Sequence, residues 1–327
     1  MRVVKTRGTP RLPTVGTVLG GTSHPRQPGP TILNMPAAAT VPAEATTEKD
    51  VAEPYRKAIR EKIESGDLDL PMLPNVVGKV MALTNDPNAE IGDLSALIHK
   101  DPALASIVLK ISNSAAYAGS QKIVSLHQAI ARLGMKLLGE VAIAVSLNKG
   151  VFSVNNFKSE IKLLWRHALI SGVYAKEIAR LNRANVETLF LCGMLHTIGK
   201  PVVIKLISGV QKDRKEELAL SAVRGLVQEF HGELNCIIAE SWNLPEAVRD
   251  TCRFYCTYED ASCHQDESAM TYLTDLLASW ITPIRRIEER EIRKDPVFGF
   301  LNFYPDEVNE LIQLKSHVLS VVQSMEV

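Results

Sequence analysis

The segment at residues 193–200, GMLHTIGK, places a histidine near the end of an apolar run, shortly before a glycine that can terminate a helix. An imidazole followed directly by a carboxylate would suit a divalent metal ion that activates water for attack on a phosphoester. Here the residue after His196 is Thr197. Because threonine is uncharged at neutral pH, the segment suggests metal-dependent hydrolysis and at the same time argues against it.

A second set of possible metal ligands lies closer to the C-terminus. Cys252 and Cys256 are four positions apart, and Cys263 and His264 follow. Thiolates one helical turn apart can contribute to a tetrahedral zinc site. Zinc knuckles usually place paired cysteines two residues apart around a turn, so we favour ordinary reduced thiols. Five cysteines in a long, apolar chain are also typical of a reduced cytosolic protein rather than of a disulfide framework.

Composition and charge exclude several classes of protein. Hydrophobic residues make up 46% of the 327 residues and aromatics only 6%, which favours helix packing. Residues 1–42 contain five basic residues and no acidic one, so the remainder carries a net charge of −5. A mildly acidic body lacks the basic stripe of a nucleic-acid surface. We find no apolar run of about 18 residues and no secretory signal, so we expect no membrane contact and a cytoplasmic location.

The hydrophobic periodicity predicts an all-α protein. Residues 1–48 are rich in Pro, Gly, Thr and Ala, and we expect them to form a disordered tail. Helical patterns follow to the end of the chain, without a convincing strand pattern. They suggest a multi-helix domain at 49–283, with parts at 49–150 and 151–283, and a helical extension at 284–327.

Several helix boundaries can be predicted from single residues. Asp101 before Pro102 indicates a helix start, and Ser125 is expected to cap a helix that Gly134 ends. The following segment to residue 150 is apolar nearly all round and should be buried. His167 lies on the inner side of an amphipathic helix at 159–181. Further helices are predicted at 186–198, 213–230, 232–242, 245–256, 267–283 and 304–325.

Between residues 70 and 275 the chain resembles the HDOD family, the HD-related output domain of bacterial signalling proteins. The motifs occur in the order that the family shows them: LPMLPNVVGKVMAL, LIHKDPALASIVLKISNSAAY, SLHQAIARLG, LWRHAL, GMLHTIGK and a Trp-x-Leu-Pro element at Trp242. DPALA and NSAAY at this spacing, followed by an altered HD motif, are the most specific of these.

The resemblance implies a helical fold related to the HD metal-dependent phosphohydrolases, with an altered active site. His167 matches the first metal ligand, and His196 matches the histidine of the HD pair. His231 and Asp275 match later ligand positions. Three positions depart from the ligand pattern: Thr197 replaces the aspartate of the HD pair, and Tyr255 and Cys256 replace a His-His pair. We therefore expect no catalytic residue, no bound metal and no cofactor, although His167, His196, His231 and Asp275 retain the donors for a single ion.

The function implied by this resemblance is a non-catalytic signalling module that acts by binding a signalling protein or a small ligand in the altered pocket. A residual phosphohydrolase is the first alternative. The second is a DNA-binding regulator, because SLHQAIARLGMKLLGEVAIAVSL has the outline of a helix-turn-helix. Its second helix is apolar and lacks the polar and basic side chains that read base edges, so we do not expect nucleic acid as a partner.

Overall fold

The computed structural model describes residues 45–86, 88–114, 116–117, 121–154, 157–285 and 287–326. Two units are distinguished, Met1–Ala45 and Thr46–Val327. Most of the predicted disordered tail, residues 1–44, lies outside the described residues. Within the described ranges all regular structure is helical, which confirms the all-α prediction.

The helices follow one another with short connections. The first five are α1 (Ala45–Ser65), α2 (Asn75–Asn85), α3 (Ile91–His99), α4 (Pro102–Ser112) and α5 (Leu126–Gly150). The next six are α6 (Lys158–Leu181), α7 (Val186–Leu195), α8 (Gly199–Arg214), α9 (Leu220–Ser241), α10 (Glu246–Phe254) and α11 (Gln265–Ile281). A 3-10 turn at Tyr255–Asp260 joins α10 to α11. The last four are α12 (Glu289–Ile292), α13 (Val297–Phe300), α14 (Pro305–Gln313) and α15 (Lys315–Met325).

Local capping explains where several of these helices begin. The Asp101 carboxylate accepts a hydrogen bond from the Leu104 amide at 3.1 Å, and α4 starts at Pro102 as predicted. The Ser125 hydroxyl accepts from the Gln128 amide at 3.2 Å and starts α5. Each cap satisfies an N–H group that has no partner inside its own helix.

Gly134 breaks α5 into two segments, because its φ of 76° lies in the left-handed region that glycine enters without strain. The segment after this break is buried almost throughout between residues 138 and 147. In a helix-turn-helix this would be the segment that enters the DNA groove. Here it forms part of the hydrophobic core instead.

The helix predictions fail in the second half of the chain at identifiable residues. Residues 199–214 form α8, a helix that we did not predict. The helix tolerates Pro201 because this residue lies in the first turn, where a missing N–H breaks no hydrogen bond within the helix. The helices predicted at 213–230 and 232–242 are one helix, α9, which passes through Gly232 without a break. The helix predicted at 186–198 ends at Leu195, and that predicted at 304–325 divides into α14 and α15 at Leu314.

The centre of the fold is α6, which packs against α7 and α11, while α8 packs against α9 and α5 is covered by α2, α3 and α4. The C-terminal α15 packs against α4, α5 and α6. Part of the charged face of α1 forms ion pairs with α9. Arg56 contacts Glu229 at 2.9 Å, and Arg60 contacts Glu233 at 3.1 Å.

By length and composition alone, Val186–Arg214 would be able to cross a membrane. Of the apolar 18-residue window within this stretch, 89% is buried inside the protein, and the stretch is interrupted between α7 and α8. A core helix pair of a globular domain has the same composition, and this is the interpretation that the burial supports.

The close packing of α8 against α9 can be tested by a substitution at Gly199. A Cβ atom at Gly199 would lie 2.4 Å from the His231 carbonyl oxygen, whereas one at Gly209 on the same helix would meet nothing within 4 Å. We expect Gly199→Ala to lower the free energy of unfolding by about 1–3 kcal/mol through overpacking. Gly209→Ala, the matched control, should raise it by up to about 1 kcal/mol through helix propensity. Urea denaturation of both variants measures this, and equal effects would contradict the close packing.

Candidate functional site

Three helices bring chemically active side chains together at the centre of the fold. His167 lies on α6, His196 directly follows α7, and Asp275 lies on α11. The Nε2 atoms of His167 and His196 are 3.0 Å and 3.2 Å from the same Asp275 Oδ1. Among the described residues, these are the only three His, Cys, Asp or Glu side chains that form a group with ligand atoms all within 4.8 Å of one another.

The hydrogen bond on the outer side of His196 determines what its inner nitrogen can do. Nδ1 is 2.9 Å from the Gly193 carbonyl oxygen, which can only accept, so Nδ1 carries the hydrogen. A neutral ring then directs the Nε2 lone pair at the Asp275 carboxylate. Two acceptors at 3.2 Å repel each other, so this contact is favourable only when His196 holds a second proton or when a cation lies between them.

His167 is held less tightly on its outer side. Its Nδ1 is 3.5 Å from the Thr282 hydroxyl, which itself donates to the Ala278 carbonyl at 2.8 Å. At 3.5 Å the outer contact is weak, so the shorter contact with Asp275 is the stronger one. We infer that His167 donates its Nε2 hydrogen to the carboxylate.

The electrostatics of this pair support a charged carboxylate beside a neutral ring. Burial alone would raise the pKa of Asp275, but its hydrogen bond with His167, its close contact with the His196 ring and the nearby Lys200 charge hold that pKa well below the ordinary value. Burial lowers the pKa of His167 and outweighs the attraction of Asp275. Asp275 is therefore an anion at neutral pH, and His167 is uncharged.

The geometry of the three donors fits one divalent ion. Neighbouring ligands around an ion with bonds of about 2.1 Å are roughly 3 Å apart, as the Nε2 and Oδ1 atoms are here. Two imidazoles and one carboxylate are a known set for divalent iron and related metals. His167, His196 and Asp275 would hold such an ion, and its chemistry would be that of a Lewis acid.

The fourth predicted donor, His231, is directed elsewhere. Its Nδ1 atom lies 3.0 Å from the carbonyl oxygens of Val227 and Gln228, and its Nε2 atom is 3.4 Å from the Tyr255 hydroxyl. Tyr255 is buried and packs edge-on against His196, with ring centroids 4.9 Å apart. Burial, followed by the Lys200 charge, lowers the pKa of His231 to about 4.

The remaining predicted positions do not enlarge the donor group. Thr197 is buried with 3% of its surface exposed, and Cys256 is exposed. The alternative zinc set is not assembled either, since Cys252 is buried against the Leu195 carbonyl whereas Cys263 is exposed. Neither thiol belongs to a metal-like group within the described ranges.

Asn235 is a site residue that the sequence analysis missed. Its side-chain oxygen accepts a hydrogen bond from the Gly199 amide at 2.7 Å, and its side-chain nitrogen donates to the His196 carbonyl. One fully buried amide therefore holds both ends of the turn that links α7 to α8. The available signal was its position, because Asn235 is a polar residue four positions after His231 on an otherwise apolar helix face.

Lys200 was also missed, although it belongs to the opening GMLHTIGK motif. It is buried with 9% of its surface exposed, and its charge acts on His167, His231 and Asp275. A buried lysine is unusual, since lysine is rarely fully buried unless it is paired. The sequence signal that could have identified Lys200 is a charged residue at the start of an apolar helix.

The altered HD segment, the buried histidines and the helical order agree with one family. The sequence model of the HDOD domain matches residues 70–257, more than half of the chain. This chain belongs to the HDOD family. The sequence alone is therefore sufficient to assign the family. The cluster at His196 lies where the resemblance to the HDOD family predicts an altered metal site.

Known proteins provide further comparisons. The chain is 27% identical over 197 residues to an uncharacterized protein of Treponema pallidum (strain Nichols); the match covers 57% of this chain and 37% of that protein. Two solved structures share the fold. An HDOD domain protein of unknown function from Geobacter sulfurreducens has a TM-score of 0.63 and 21% identity, covering 84% of this chain and 97% of its own. A provisionally named metal-dependent phosphohydrolase from Shewanella amazonensis SB2B has a TM-score of 0.62 and 19% identity, covering 85% and 100%.

The depressed pKa of His231 predicts a pH-dependent stability. The unfolded imidazole takes up a proton near pH 6.5, whereas the folded one does so only near pH 4. Stability is therefore complete above pH 6.5 and falls, by up to about 3 kcal/mol for this residue, as the pH drops toward 4. Urea denaturation between pH 7.5 and 4.5 should show a shallower slope for His231→Gln than for the wild type. The exposed control His127→Gln should keep the wild-type slope, and an unchanged slope in His231→Gln would refute the assignment.

Asn235 can be tested by removing its amide. Asn235→Ala leaves the Gly199 amide and the His196 carbonyl without their partner in the interior, and we expect a loss of about 2–4 kcal/mol of unfolding free energy. The control is Asn309→Ala on the surface of α14, where Asn309 accepts from Arg293 in an exposed contact. That change should stay within about 0.5 kcal/mol. Chemical denaturation compares the two, and equal losses would show that Asn235 is not a structural bridge.

Proposed function

We propose that this HDOD protein is a non-catalytic signalling module of a bacterial cytoplasm, which acts by binding a protein partner or a small ligand. One observation carries the proposal. Asp275 is the only carboxylate in the donor group, and the residue after His196 is an uncharged threonine. Hard divalent ions that activate water on phosphoesters favour several oxygen ligands, which this group does not supply.

Tyr255 strengthens the proposal, since it stands at one of the positions where the HD resemblance expects histidine. Burial first, and the nearby Asp275 charge second, raise the pKa of Tyr255 well above its ordinary value, so the phenol stays neutral. A neutral buried phenol is a weak metal ligand. Its ring also packs against His196 and its hydroxyl faces His231, which keeps these two histidines from joining around one ion.

The comparisons fit a signalling role without establishing it. A solved protein from Marinobacter aquaeolei VT8, named provisionally as a signal transduction protein, has a TM-score of 0.61 and 20% identity, covering 84% of this chain and 66% of its own. At this identity the likeness is one of fold. A shared role in signal transduction is part of what we propose.

A second candidate function is a residual phosphohydrolase that uses one ion. The close approach of His167, His196 and Asp275 favours it, because a bare Nε2 atom on His196 is suited to a metal. The two candidates differ in one measurable property: the hydrolase needs metal-dependent turnover, and the binding module does not.

The test assays the purified full chain with Mg²⁺, Mn²⁺ or Fe²⁺ on bis-p-nitrophenyl phosphate and on a cyclic dinucleotide. We expect no turnover above that of Asp275→Asn, which lacks the carboxylate of the donor group. Metal-dependent turnover that His196→Ala abolishes would overturn the proposal. Thr197→Asp serves as the positive control, because a second carboxylate should raise the affinity for Mn²⁺ by about tenfold or more, whereas the uncharged Thr197→Asn should not.

A further inference from the structure

A small cavity lies beside the histidine cluster and is separate from it. It has a volume of about 150 Å³ and is bounded by α6, α8, α9 and the segment after α11. Its walls are mainly apolar and include Leu163, Leu164, Ile204, Val223 and Val227. An apolar cavity of roughly this volume holds a molecule the size of benzene. The space therefore fits a ligand with a short apolar body.

Lys200 lines this cavity, and its ammonium group lacks a close partner. The residue is 9% exposed, and it makes no hydrogen bond or ion pair with any residue in the part of the chain that the structure describes. Its charge reaches Asp275, but the two form no ion pair, and the Asp275 carboxylate is bonded by His167 and His196. The Lys200 ammonium nitrogen is not one of the fully buried polar atoms that lack a partner among the described residues, so it is open to solvent at the cavity. Its three donors can therefore bind an acceptor that enters from outside the protein.

The other cation at the cavity is already neutralised. Arg224 binds both carboxylate oxygens of Glu160, at 2.8 Å and 3.1 Å. This two-point pairing occupies the face of the guanidinium that would otherwise hold an anion. Of the two cations at the cavity, only Lys200 therefore lacks an ion-pair partner. Lys200 lies in the first turn of α8, where the positive end of the helix dipole adds to its charge.

We propose that the cavity binds a small monocarboxylate of roughly five or six carbon atoms in all, with an apolar chain. Its carboxylate accepts hydrogen bonds from the Lys200 ammonium, and its chain lies against Leu164, Ile204 and Val227. One positive charge matches one negative charge, so a carboxylate fits better than a phosphate dianion. The inference rests on the proposed function, since this acid would be the small ligand of the binding module.

The test measures binding of pentanoate, pentan-1-ol and inorganic phosphate to the full chain by calorimetry. We expect pentanoate to bind more tightly than the alcohol of the same shape, and phosphate to bind more weakly than pentanoate. Lys200→Met should weaken pentanoate binding by about tenfold or more, because a charge-assisted hydrogen bond is lost, and should leave pentanol binding unchanged. The matched control Arg224→Met removes a cation from the same cavity wall and should change pentanoate affinity by less than about threefold.

Folding is checked separately, by urea denaturation. Lys200→Met should remain folded, since it keeps the length of the side chain, and any loss of unfolding free energy should reflect the weaker electrostatic compensation of Asp275. If it does not fold, Lys200→Gln replaces it in the same assay. Equal affinity of pentanoate for wild type and the Lys200 variant, tighter binding of phosphate, or no binding of pentanoate at millimolar concentration would each overturn the inference. Those results leave the proposed function standing, because only metal-dependent turnover contradicts that proposal.

Discussion

A carboxylate that is largely removed from water needs hydrogen-bond donors or positive charge around it, and the interior of this protein is organised around that requirement at Asp275, whose side chain is 21% exposed. Helices α6 and α7 each supply one imidazole to the same carboxylate oxygen, and α8 supplies the Lys200 charge. The consecutive helices α6 and α7 are thereby constrained to meet the sequence-distant α11 at one oxygen atom. Burial lowers the pKa of His167, whereas at Asp275 the neighbouring imidazoles and the Lys200 charge outweigh burial and lower the pKa of the carboxylate.

The same constraint supports the proposed non-catalytic role of this site. In a metal enzyme, divalent ions supply the positive charge that a cluster of carboxylates needs. Here the group contains only one carboxylate, and protein groups supply most of the hydrogen bonding and positive charge that compensate its negative charge. His196 is the exception. Its outer nitrogen is committed to the Gly193 carbonyl, so the contact of its inner nitrogen with Asp275 still calls for a proton or an ion.

Much of the fold was predictable because its signals are local. The caps at Asp101 and Ser125 and the break at Gly134 depend on residues adjacent in sequence, and the structure confirms them. The errors arose where tertiary packing overrides a local signal, as at Gly232, which does not interrupt α9. His167, His196 and Asp275 were predicted from the family resemblance and do meet. The contact of His231 with Tyr255 could not be predicted, since it depends on the relative orientation of α9 and the turn after α10.

The Asn235 amide has a mechanical consequence for the whole molecule. It joins α9 to both ends of the turn that carries His196, so that turn and the start of α8 must follow α9 in any rearrangement that keeps these bonds. On its outer side α9 is tied to α1 through the pairs of Arg56 and Arg60 with Glu229 and Glu233. The ion pairs that α1 makes at the protein surface and the turn that carries His196 are thus connected through one helix, α9, with no loop between them.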